Sequence, residues 1–394
     1  MTKPKYLTKL SQIPQLSEAE RTALQPVAEK FVFRTNDYYQ NLIDWNDPDD
    51  PLRRIVMPHV EELNEWGELD ASSESAYTRA PGLEHKYRDT ALLLVNDVCG
   101  AYCRFCFRKR LFMDDNDEVV RDVSEGLAYI REHPEISNVL LTGGDPLLMS
   151  TKRLEKIIAS LRAIDHVQII RIGSKMPVFN PYRVLNDPSL LEMITRYSTP
   201  TKRIYIMAHF NHPRELTEPA IEGLARLQES GAITVNQTPL IQGVNDDPQV
   251  LAELFDRLSF IGTPPYYVFQ CRPTLGNETY AVPLEAAFEL FMEAQTLAAS
   301  GLAKRARFAM SHKTGKAEVV DLHDDHIYLR YHRAADAEKR GKLLVFKRNP
   351  NAYWLDDYLE PEAEVERPFP QTAQPITINT LTTTTDKRVP APTV

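Results

Sequence analysis

"ALLLVNDVCGAYCRFCFRKR", residues 91–110, runs from a short apolar, β-rich stretch straight into a loop that holds Cys99, Cys103 and Cys106. Four cations follow within seven residues: Arg104, Arg108, Lys109 and Arg110. The apolar stretch "ALLLVN" (91–96) reads as a strand, and five more of its kind lie downstream. They are "NVLLTGG" (138–144), "VQIIRIG" (167–173), "RIYIMAHF" (203–210), "AITVNQTPL" (232–240) and "YYVFQCR" (266–272). Amphipathic helical stretches such as "TKRLEKIIASLRAI" and "PAIEGLARLQESG" separate them. Strands that alternate with helices imply a parallel sheet with helical crossovers, and a barrel or partial barrel is its natural closure. Residues with chemistry gather where the strands end: the cysteine loop, Gly143, Gly144 and Asp145, then His209, Gln237 and Arg272. In such folds that end carries the active site.

The chain of 394 residues accommodates one large barrel with extensions, or two to three smaller domains. Hydrophobic residues make up 43% and charged residues 26%, as in soluble globular proteins. A net charge of −9 supplies no basic field for nucleic acid. No apolar run approaches the length of a membrane span, and the start lacks the apolar core of a secretory signal, so the cytoplasm is the expected compartment. The division expected is a helical N-terminal extension (1–80), the barrel with its sites (81–325), a strand-containing extension (326–369) and a Thr- and Pro-rich tail (370–394), disordered or draped over a partner. In the first of these, Ser17 and Glu20 form a capping box at the head of a helix.

The spacing C-x3-C-x2-C presents three soft thiolate donors. A structural zinc site wants four closed ligands. Three suit a 4Fe–4S cluster with one iron left open. The remaining cysteine, Cys271, ends the last core strand.

This motif, followed by "LLTGGDPLL", resembles the radical S-adenosylmethionine (SAM) superfamily. "CGAYCRFCFRKR", "HFNHP", "NQTPLIQGVND" and "PYYVFQC" are similar, in order, to the lysine 2,3-aminomutase family over roughly residues 80 to 320. The resemblance implies a partial (β/α)6 TIM-like barrel of the radical SAM type, with N- and C-terminal extensions. It implies a cluster on Cys99, Cys103 and Cys106 whose open iron binds SAM, and a Gly143-Gly144-Asp145 stretch that meets the methionine amino group. His209 and Gln237 would contact SAM. The family also uses pyridoxal 5'-phosphate (PLP) on a lysine in a Gly-Lys step, which is Lys316, with Lys313 as competitor. The PLP phosphate falls to Lys86, Tyr87 and Arg88, with Lys86 standing where the family has arginine. Arg108 matches the family's substrate-carboxylate arginine.

The family's lysine-specific members hold the distal ammonium with two aspartates, at positions that here are Arg272 and Ala309. A cation at Arg272 repels an ammonium and attracts a carboxylate, so the sequence is similar to the glutamate 2,3-aminomutase branch. The rival is a structural Arg272 paired with Glu278. Other readings are a lysine or aspartate 2,3-aminomutase, the relative that isomerises a lysine of elongation factor P, or a non-catalytic iron–sulfur protein. The resemblance further implies an amino acid substrate, a flavodoxin- or ferredoxin-type electron donor, a homo-oligomer, and neither nucleic acid nor membrane as partner.

Overall fold

The computed structural model describes residues 3–113, 118–358 and 361–365. The tail expected from residue 370 lies outside them.

The N-terminal segment contains a two-stranded ladder of β1 (Tyr6–Leu7) and β2 (Thr35–Asn36). It also holds the helices α1 (Glu18–Lys30), α2 (Asp37–Gln40) and α3 (Pro51–Val56). Ser17 and Glu20 do close a capping box on α1, with Glu20 N–H donating to Ser17 Oγ and Ser17 N–H to the Glu20 carboxylate. Much of the rest of this segment is irregular chain, because its prolines and acids interrupt helical hydrogen bonding.

A hairpin of β3 (Thr78–Ala80) and β4 (Leu83–Tyr87) then leads into β5 (Thr90–Asn96). Five more units follow: α4 (Ser124–Glu132) and β6 (Asn138–Gly143); α5 (Thr151–Arg162) and β7 (Ile169–Ser174); the short α6 (Met176–Phe179) and α7 (Tyr182–Leu185) with α8 (Pro188–Tyr197), then β8 (Ile204–Ala208); α9 (Glu218–Glu229) and β9 (Ile233–Pro239); α10 (Pro248–Phe260) and β10 (Pro265–Phe269). All six strands read from the sequence are present, shifted by at most a few residues. After α11 (Leu284–Leu297), β11 (Arg307–His312) joins the sheet as a seventh parallel strand. The antiparallel β12 (Gly315–His323), β13 (His326–Ala334), β14 (Leu343–Lys347) and β15 (Ala363–Val365) extend it.

One 13-stranded sheet runs in the order β15 to β3 with β5–β11 parallel, so the ladder stays open, as in a partial barrel. Side chains bridge the gap between its two flanks. Arg333 on β13 reaches Asp89 and Thr90 at the start of β5, Lys86 Nζ donates to the His312 carbonyl at 2.5 Å, and Tyr77 Oη donates to the Lys313 carbonyl at 2.7 Å.

Alternation along β7 shows how the interior is built. Ile170 and Ile172 pack outward with Leu154, Ile157, Ile158 and Leu161 of α5 in one buried cluster. Arg171, half-buried between them, turns to the inner face. A second cluster joins Leu7, Tyr39, Leu52 and Ile55 of the N-terminal segment to Ala101 and Phe105 of the cysteine loop. No helix of the described residues is long and apolar enough to cross a membrane.

Candidate active site

The cysteine loop is held from two sides. From the N-terminal segment, Arg34 Nε donates to the Cys99 carbonyl at 2.8 Å, and Asn36 donates to the Gly100 carbonyl at 3.2 Å. The same segment buries Glu62, whose carboxylate takes a bidentate ion pair from Arg104 at 2.7 to 3.1 Å and a bond from Tyr280 Oη at 3.0 Å. A buried pair of this kind specifies geometry more than it adds stability, but removal of one partner strands the other.

From the barrel side, Gly144 N–H donates to the Asn96 carbonyl at 2.5 Å and Asp145 N–H to the Val98 carbonyl at 2.9 Å. Gly143 has φ +106°, which only glycine adopts readily, and a Cβ on Gly144 would lie 2.6 Å from both N and O of Val98. Backbone atoms cannot yield as a flexible side chain would. Gly144→Ala is therefore expected to cost about 1–3 kcal/mol and to displace the loop that begins at Cys99. Iron bound after anaerobic reconstitution should fall well below the wild-type level; full iron loading would show that the close approach does not matter.

The Asp145 carboxylate is held by the protein's own donors. It accepts from Leu147 N–H at 3.0 Å, Ser174 Oγ–H at 3.0 Å and Lys175 N–H at 2.7 Å, and burial lifts its pKa to about 6. This side chain ties the β6 loop to the end of β7. His209 and Gln237 do come together, with the Gln237 amide donating to His209 Nε2 at 3.0 Å. Burial, with Lys175 and Arg108 nearby, holds His209 down at about 3, so the imidazole is neutral.

Cys99, Cys103 and Cys106 are free thiols on one loop. Burial raises each of them, Cys103 to about 12, and Cys99 and Cys103 are raised further by the neighbouring thiols. Cations stand by each: Arg34 near Cys99, Lys175 near Cys103, and Lys109, Arg108 and Arg110 near Cys106. Among the described residues no three His, Cys, Asp or Glu side chains are arranged for a single metal ion. Three free thiolate donors on one loop, with cations beside each, fit an iron–sulfur cluster by their chemistry.

Lys316 is the second residue of strand β12, not part of a loop as expected. Its Nζ lies 4.2 Å from the Tyr267 ring centroid and 4.8 Å from that of Phe269. Among the described residues it has no ion pair. Burial, then Arg171, Arg333, Arg272 and Lys86, hold its pKa well below the usual lysine range. An amine whose protonated form is disfavoured in this way is the better nucleophile, and the cations around it suit a phosphate and a carboxylate. These residues therefore fit PLP. The competitor Lys313 is half exposed and pairs with Asp356 at 3.1 Å.

Of the three expected phosphate contacts, Lys86 and Tyr87 lie together beside Arg333, which packs 4.4 Å from the Tyr87 ring centroid, with Lys86 Nζ 5.8 Å from the same ring. Burial and then Arg272 lower Lys86 to about 8. Arg88 stands apart from them, exposed in the tight turn between β4 and β5, where Tyr87 pairs with Thr90. Arg171 and Arg333 supply cations there that the sequence reading missed. A mid-strand arginine in "VQIIRIG" was the available signal, since an unpaired charge inside a sheet is costly.

Arg108 is already engaged by the protein. Its Nε and Nη2 donate to Glu74 at 3.0 and 2.8 Å, and its Nη1 donates to Thr142 Oγ1 at 2.9 Å. Three of five guanidinium N–H groups are thus taken before any substrate arrives. Glu74 also accepts from Arg110 at 2.9 Å. Despite burial, Arg108, Arg272 and Arg110 keep it far below the usual carboxylate range. Glu84, 3.9 Å from Arg108, is raised to about 8 by burial and Glu74, so it stays protonated at neutral pH.

Arg272 is different. Its guanidinium stacks on Phe107, 3.5 Å from the ring centroid, and its nearest carboxylate is Glu74 at 3.9 Å. Its Nη1 is buried and has no hydrogen-bond partner. Glu278, the partner considered from the sequence, bonds Asn64 instead. Ala309 is fully buried in β11 and brings no charge.

An open barrel with three thiols at its mouth and a reactive lysine inside is the layout of a radical SAM enzyme, and the Radical SAM superfamily model matches residues 93–255. An Aquifex aeolicus protein provisionally named L-lysine 2,3-aminomutase is 60% identical over 92% of this chain and 97% of its own length. The L-lysine 2,3-aminomutase of Clostridium subterminale is 39% identical over 71% of this chain and 66% of its own. The glutamate 2,3-aminomutase of Clostridioides difficile is 32% identical over 71% of this chain and 66% of its own. The chain belongs to the lysine 2,3-aminomutase family, whose members are isomerases that use a 4Fe–4S cluster, SAM and PLP.

Proposed function

We propose that this aminomutase moves the α-amino group of L-glutamate to its β-carbon. The observation that carries this is Arg272: a buried guanidinium whose Nη1 has no hydrogen-bond partner among the described residues and whose charge bears on Lys316. A substrate carboxylate satisfies that nitrogen, whereas a lysine ammonium would be repelled where water screens charge poorly. The likeness to a relative named glutamate 2,3-aminomutase agrees with it.

When bound, the cluster and SAM supply an organic radical and PLP the conjugation through which the nitrogen migrates. The chain's own residues do the rest. Cys99, Cys103 and Cys106 would hold the cluster, and Lys316 would hold PLP. Lys86, Arg171 and Arg333 would face the phosphate. Arg108, with two N–H groups left, would take the α-carboxylate, and Glu74 fixes its plane. Arg272 would take the side-chain carboxylate. The apolar and aromatic walls, Tyr267 and Phe269 among them, keep water from the reacting atoms.

The test is anaerobic assay with SAM, PLP and a reductant against glutamate, aspartate, lysine and alanine. Glutamate is expected to exceed lysine in kcat/KM by about 100-fold or more. Preferential turnover of lysine would overturn the proposal.

A further inference from the structure

The ladder between β12 and β13 is irregular at Lys316. Lys316 pairs with Arg333, and Ala317 pairs with Tyr331, so His332 is one residue too many on its strand. Such a bulge re-aims a side chain, and bulges concentrate beside active sites. Here it brings the His332 ring parallel to Tyr267, with centroids 5.6 Å apart at 20°. His332 Nε2 and Tyr267 Oη lie 2.5 Å apart. His332 Nδ1 is buried without a partner.

Burial, then the charges of Lys316, Arg307, Arg333 and Arg330, depress His332 to about 3. The imidazole is therefore neutral, and Tyr267, whose own pKa is raised by burial, keeps its proton. In that state Nε2 accepts the phenol hydroxyl. The same phenol ring is the surface on which Lys316 Nζ rests, 4.2 Å from its centroid. Arg171 on β7, Lys86 on β4, Arg272 after β10 and Arg333 on β13 surround the amine with positive charge, and the ring faces of Tyr267 and Phe269 are the contacts it makes.

We propose that His332 is a positioning residue: it pins the Tyr267 ring through the hydroxyl and so sets the direction from which Lys316 reacts. The proposal rests on Lys316 being the lysine that carries PLP.

The experiment adds PLP to the full-length apo-protein, traps the attached cofactor by borohydride reduction at successive times, and locates it by peptide mass spectrometry. Attachment to Lys316 in the His332→Phe variant is expected to be slower than wild type by about tenfold or more. His332→Gln, whose amide oxygen still accepts a hydrogen bond, should stay within about threefold. Tyr267→Phe keeps the ring and loses the hydroxyl; it should match His332→Phe, and it stands in for that variant if the latter does not fold. Wild-type rates in both Phe variants, or equal slowing in His332→Gln, overturn the proposal. A wild-type adduct on another lysine overturns the Lys316 reading, and this proposal with it.

Discussion

Arg272→Gln is expected to lower kcat/KM for glutamate by about 30- to 900-fold, which corresponds to about 2–4 kcal/mol for a lost charged contact in a desolvated site. The size follows from what the free protein leaves undone. Glu74 is shared among arginines, yet it bonds only Arg108 and Arg110 closely; Arg272 stands off at 3.9 Å. The buried Nη1 of Arg272 has no hydrogen-bond partner among the described residues. Burial already pulls the pKa of Arg272 down to about 10, a sign that the isolated charge is held at a cost. The glutamine variant should therefore fold with unchanged or slightly raised Tm while glutamate turnover collapses. Lysine turnover should not fall, because the change removes a repulsion. Steady-state kinetics on both substrates, with iron and PLP content held equal, decide the matter. Unchanged glutamate kinetics would sink the assignment of Arg272 to the substrate.

Lys316→Met is expected to abolish catalysis and covalent retention of PLP while it stabilises the fold by about 0.5–2 kcal/mol. Lys316 lacks an anionic partner and faces Arg171, Arg333, Arg272 and Lys86. Its folded-state pKa lies well below the unfolded value of about 10.4. Between those two values the unfolded chain binds more protons, so wild-type stability rises with pH across that window. The gain from methionine should thus be greatest on the acid side of the folded pKa and vanish above about pH 10.4. Thermal unfolding of the apo-proteins across pH 6 to 10, wild type against variant, measures it. A methionine variant less stable than wild type at every pH would show that Lys316 is held by an interaction other than those around it. Retained activity would remove it from the reaction.

The barrel was legible because its signals are local. Each core strand is a short apolar run, each crossover an amphipathic helix, and the cysteine spacing stands on one loop. Lys316 and Arg272 were legible as candidates by type and position, and the former even by its preceding glycine. Glu74 was not. It is one acid in an acid-rich segment, and nothing in "SSESAY" marks it for three arginines far along the chain. Glu62, Arg34 and Asn36 escaped for the same reason, so a segment read as accessory proved to be one wall of the cysteine loop. Asp145 and Arg108 were recognised as polar groups at a strand end, but the sequence does not say which hydrogen bonds the protein itself has already filled.

By itself, then, the sequence determined the type of sheet, the order of its strands, the set of three thiols, and a cation where lysine-specific relatives carry an acid. The tertiary structure decided which charges are spent and which are free. It paired Arg108 with Glu74, tied Asp145 to the end of β7, turned Arg88 to solvent and, among the described residues, left Lys316 without an ion pair and one nitrogen of Arg272 without a hydrogen bond. The reason is physical. Strand and helix periodicity follow from neighbours along the chain, whereas the free energy of a charge follows from burial and from groups brought near it by folding.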